Sequence, residues 1–91
     1  MANEEKYTIN KEKITWRIVD GTAVLLNLES GFYYTLNEVG TKIWELLSKG
    51  HASDEIAELI QDKFEISKSS VRKDIDSLIS ELKEEDLLRI V

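Results

Sequence analysis

Few residues in this 91-residue chain could do chemistry. His51 is the only histidine, and there is no cysteine. A metal centre needs several converging ligands, which one imidazole beside Gly50 does not supply; His51 reads as a solvated turn residue. General acid–base work needs a histidine or two carboxylates held at a set separation in a cleft. Glu81, Glu84, Glu85 and Asp86 crowd the end of a helix and read as a solvated face. A phosphate loop clusters its glycines, whereas the four here are scattered at positions 21, 31, 40 and 50. No nucleophile, base and oxyanion donors can be assembled. The chain is therefore expected not to be an enzyme, and its reading calls for no cofactor. Two kinds of contact chemistry remain: the cations Lys68, Arg72 and Lys73, and the aromatic run Tyr33-Tyr34-Thr35.

These residues belong to one small domain, since a chain of this length has little room for a second. Its hydrophobic content of 42% supports one modest core. Without cysteine, disulfides and thiolate chemistry are excluded. No apolar run reaches the roughly 20 residues of a membrane span. Met1 to Lys6 is polar, unlike a signal-peptide core, so a cytoplasmic protein is expected. The net charge of −6 disfavours nucleic acid and anionic membrane surfaces as partners.

The chain changes period near Leu36. Before it, apolar residues alternate, with turn signals at Asp20-Gly21-Thr22 and Glu29-Ser30-Gly31. Ile14, Trp16 and Ile18 share one face; Val24, Leu26 and Leu28 share another; Phe32, Tyr34 and Leu36 follow. This predicts a three-stranded antiparallel meander over residues 13–36. Trp16, Phe32 and Phe64 are expected in the core, Trp44 at the edge of its helix's apolar stripe, and Tyr33 facing away from the core. From residue 37 the period is helical. Asn37 can cap a helix from about Glu38 to Lys49, ended by Gly50. A second helix is expected after Ser53, with Ile56, Ala57, Ile60 and Phe64 buried. A third, of about 18 residues, is expected after Ser67, with Val71, Ile75, Leu78, Ile79 and Leu82 buried. Leu87 to Val91 should pack back onto the domain, and residues 1–12 should form a flexible N-terminal segment before a domain at 13–91. The fold class is α+β, winged helix-turn-helix-like, with the sheet preceding the helices.

A winged helix offers two functions. Lys68, Arg72 and Lys73 sit where a recognition helix contacts DNA, which keeps a DNA-binding transcription regulator as the alternative. Residues 67–86, however, carry four cations against six anions, a poor surface for a polyanion. The third strand, in meander order, lies at a sheet edge with no proline or lysine to block it. Beside a helical wall, such an edge suits a peptide added as an extra strand. It could equally pair two copies, so the oligomeric state stays open.

Asp20-Gly21, Ala23 to Asn27, Gly31 to Asn37, Gly40 with Ile43-Trp44 and Leu46-Leu47, then Val71, Asp74, Ile75, Leu78, Leu82 and Leu87-Leu88 together resemble the PqqD family of pyrroloquinoline quinone biosynthesis. Its fold is shared by recognition elements of ribosomal-peptide modification systems. The family usually has glycine before the terminal leucines, where this chain has Asp86. The resemblance implies a non-catalytic peptide chaperone that binds the leader of a ribosomally made precursor peptide. It would present that leader to a modifying enzyme, often a radical S-adenosylmethionine enzyme. It implies leader contacts through the backbone of Tyr33, Tyr34 and Thr35 and through the side chains of Arg72, Ile75, Asp76 and Ile79.

Overall fold

A computed structural model describes residues 6–90. The meander is present as β2 (Ile14–Val19), β3 (Thr22–Asn27) and β4 (Tyr33–Thr35), antiparallel and in the order β2-β3-β4. Trp16 and Tyr34 both lie opposite Leu25, and Ile14 lies opposite Asn27. The face turned to the helices is therefore Ile14, Trp16, Ala23, Leu25, Asn27 and Tyr34. This corrects the expected face of β3: Ala23 and Leu25 are buried, whereas Val24 and Leu26 are half-covered and Leu28 is exposed. In a strand as apolar as Thr22 to Leu26, alternation does not reveal which parity faces inward.

Three helices follow: α1 (Glu38–Ser48), α2 (Ser53–Phe64) and α3 (Lys68–Glu84). Asn37 caps α1 by accepting from the Gly40 N–H at 2.7 Å, and Ser67 caps α3 by accepting from the Ser70 N–H. The cap of α2 is Ala52, one residue earlier than expected. The Glu55 side chain accepts from its N–H at 3.2 Å, while Ser53 lies inside the helix with its hydroxyl buried. Thr41 ties α1 to the sheet, accepting from the Ala23 N–H at 2.9 Å.

Trp44 is the largest fully buried side chain, not an edge residue. It meets Trp16 edge-on, with ring centroids 5.2 Å apart, the arrangement that the ring quadrupoles favour. Phe64 packs against the core, as expected. Phe32 does not: it is 68% exposed, because it precedes β4 at the exit of a turn, where strand parity does not yet hold.

Residues 7–12 depart from the expected flexible segment, of which residues 1–5 lie outside the described residues. Tyr7–Ile9 forms β1, which pairs antiparallel with β5 (Leu88–Ile90). Tyr7, Leu87 and Leu88 are buried, so the tail packs back as expected and brings the N-terminal region with it. The turn into β5 passes through Asp86, whose φ of +58° is left-handed. Aspartate tolerates that region better than most residues, which explains how the family's glycine position can be filled here. Asp86 also fastens the turn. Its carboxylate accepts from Lys13 and Arg89, each at 3.1 Å, and its carbonyl accepts from Asn10 Nδ2 at 2.8 Å.

Candidate functional site

The sheet leaves β4 open on one side, and the hydrogen-bond register fixes which groups are free. The Asn27 N–H donates to the Phe32 carbonyl at 2.9 Å, and the Leu36 N–H donates to the Ala23 carbonyl at 3.0 Å. Tyr34 lies between these bonds, opposite Leu25. Backbone groups alternate sides in an antiparallel ladder. The Phe32 carbonyl, the Tyr34 N–H and C=O and the Leu36 N–H therefore point into the sheet, while the N–H and C=O of Tyr33 and Thr35 point to the edge. No strand among the described residues covers that edge.

Beside it runs a groove of about 260 Å³. Thr35, Leu36, Asn37, Gly40 and Ile43 line one side, and Asp74, Ser77, Leu78 and Glu81 of α3 line the other. Gly40 keeps this side closely packed: a Cβ there would come within 3.2 Å of Asn37 Oδ1 and 3.3 Å of Leu36 Cβ. The Tyr34 hydroxyl hydrogen-bonds the Glu85 carboxylate, spanning from β4 to the end of α3. Asn27 Nδ2 reaches the other oxygen of that carboxylate at 3.4 Å. These bonds set the distance between strand and helix. On the opposite face of the sheet, a second hollow of about 330 Å³ includes Arg17, Val19, Val24, Leu26 and Tyr33 in its lining.

The expected contact residues divide. Tyr33 is 69% exposed, and Thr35 is exposed; their backbones face the edge as the strand-addition reading requires. Tyr34 differs: its backbone pairs with β3, and its side chain bonds Glu85. On α3 the expectation and the geometry separate. Ile75 is fully buried and Ile79 is 6% exposed, both within the core, and neither lines the groove. Arg72 forms an ion pair with Asp54 of α2. Asp76 is exposed, but at about 100° per residue it projects roughly 160° around the helix from Asp74. The groove wall is instead the stripe Asp74, Ser77, Leu78 and Glu81. That stripe repeats at i, i+3, i+4 and i+7, about 100° around the helix from the core stripe, and this spacing is its only signal in the sequence. The DNA-binding alternative loses its central cation, since Arg72 is already matched by Asp54.

The carboxylate with the largest displacement lies outside the groove. Hydrogen bonds from Arg89 and then Lys13 hold the Asp86 carboxyl down at about 2, and the same contact raises the Lys13 ammonium. At the start of α2, the hydrogen bond from the Ala52 N–H lowers Glu55. These groups fasten elements and do not converge on a common cavity.

An α+β domain of winged-helix proportions, with an open edge strand beside its third helix, defines the class of this protein. The chain belongs to the PqqD family: the description "coenzyme PQQ synthesis protein D (PqqD)" matches residues 22–88. Two solved structures are similar along nearly their whole length. One is TbiB1 in complex with the TbiA(beta) leader peptide, with 29% identity, a TM-score of 0.79, and coverage of 90% of this chain and 94% of that chain. The other is a lasso peptide synthetase B1 complexed with the leader peptide, with 26% identity, a TM-score of 0.80, and coverage of 92% of this chain and 98% of that chain. No curated protein matches the chain.

Proposed function

We propose that this protein is a recognition element that binds the leader of a ribosomally made precursor peptide by strand addition to β4. It presents the bound precursor to a modifying enzyme, and PqqD membership points to a radical S-adenosylmethionine enzyme for that role. The observation that carries the reading is the pair of outward-facing residues, Tyr33 and Thr35, whose backbone groups lie unpaired beside a groove. An extended peptide would satisfy those groups and set alternate side chains against α3 and against the outer sheet face. Both similar structures are complexes with leader peptides, which supports the same occupant here.

In this reading the protein is non-catalytic: it supplies affinity and orientation, and its partner supplies the reaction. It acts in the cytoplasm, where precursor peptides are made, and none of its described helices is long and apolar enough to cross a membrane. An affinity of about −8 kcal/mol, micromolar or tighter, suits a processing partner. The test is an amide NMR titration with candidate leader peptides and, separately, duplex DNA. Shifts at residues 32–36 and at 74, 77, 78 and 81 with a leader are expected. Shifts only with DNA, centred on Lys68 and Lys73, would overturn the reading.

A further inference from the structure

The helical wall of the groove is acidic. Asp74 and Glu81 line the groove and are exposed. Neither has an ion pair or side-chain hydrogen bond among the described residues. Glu85, one turn beyond, is occupied by Tyr34 and Asn27. No lysine, arginine or histidine among the described residues lines the groove. Between the two free carboxylates sits Leu78, with Leu36 and Ile43 across from it. The wall thus reads acid, apolar, acid over two helical turns, about 10.5 Å.

A strand laid along β4 shows α3 every second residue, in steps of about 6.7 Å. Its side chains at i and i+4 lie about 13 Å apart, a span that long cationic stems close easily onto Asp74 and Glu81. The residue at i+2 then falls on Leu78. A leader with carboxylates at i or i+4 would face two unmatched anions, which selects against it. We propose that this protein recognises leaders with the pattern cation–x–apolar–x–cation on the face turned to α3. The proposal rests on the strand-addition reading above and names the chemistry of its ligand.

The whole chain carries −6 and attracts any cation, so the test must separate local from general charge. The full-length protein is titrated with three capped threonine heptapeptides with leucine at position four. Positions two and six carry lysine, serine or glutamate. The lysine probe should bind three- to tenfold more tightly than the serine probe at low salt, as two solvent-exposed ion pairs allow. The glutamate probe should bind most weakly, and the spread should narrow as salt rises. The double variant Asp74→Lys, Glu81→Lys should reverse the order. Glu58→Lys, Asp62→Lys, an equal charge change on exposed positions of α2, should preserve it. Equal binding of all three probes at residues 33–36 overturns the cation pattern and leaves strand addition standing. Loss of the order in the α2 variant also overturns the pattern, in favour of general attraction. Absence of shifts at 33–36 from every probe at millimolar concentration removes both.

Discussion

Adjacent residues of α3 have opposite duties. Ile79 is buried in the core and Leu78, half-covered, lines the groove. Ile79→Asp buries an unpaired charge and should unfold the protein or cost more than about 3 kcal/mol. Ile75→Ala should cost about 2–5 kcal/mol. Chemical denaturation measures both. Leu78→Ala should leave a cooperative fold and weaken leader binding, read by calorimetry. The helix stripe was legible in the sequence, but it marked the core: the isoleucines suited to a peptide pocket are the ones that the helix buries. The groove residues Asp74, Ser77 and Glu81 look like any solvated helix face until β4 is placed beside them. Ser53 makes a smaller point. Its hydroxyl is buried with no partner among the described residues, so Ser53→Ala should be neutral or stabilise by about 1 kcal/mol. A thermal melt should then stay unchanged or rise by up to about 8 °C.

In the proposed function, recognition turns on the strand β4. Its outward N–H at Thr35 is not used by the sheet, so proline there removes a donor from the ligand and not from β3. Thr35→Pro should keep near-native circular dichroism and lose leader binding at least tenfold. Binding that survives in the folded variant would exclude pairing at this edge. The helices and the meander were legible because each had signals of two kinds, an apolar period and a cap or turn. Asn37 and Ser67 cap where expected, and the third helix ends within a residue or two of its forecast. β1 and β5 had only three residues each, too few to show a period, and their pairing spans almost the whole chain. Nothing local in the sequence could announce it.

For the molecule as a whole, Asp86 is the fastening that joins distant parts of the chain. Its carboxyl is held at about 2 against an ordinary 3.8. A carboxyl lowered on folding contributes stability that is fully present above its unfolded value and is lost as pH falls through its folded one. The protein should therefore lose stability between about pH 4 and 2, beyond what its other carboxylates cause. Asp86→Asn keeps a residue that tolerates a left-handed φ and removes the charge, so it should flatten that part of the acid-unfolding curve. An unchanged acid limb would show that Lys13 and Arg89 contribute nothing there.

The pairing of Tyr7 with Ile90 has a further consequence. The polypeptide enters and leaves the domain side by side, a strand's width of about 4.8 Å apart. Linking the strands at Tyr7 and Ile90 through a short glycine-serine bridge should cost little strain, and the ring can be reopened at the exposed Lys49-Gly50 turn, which lines no part of the groove. The same geometry suits the domain to insertion: spliced into a surface loop of an enzyme, it should carry its open β4 edge along without prising its host apart.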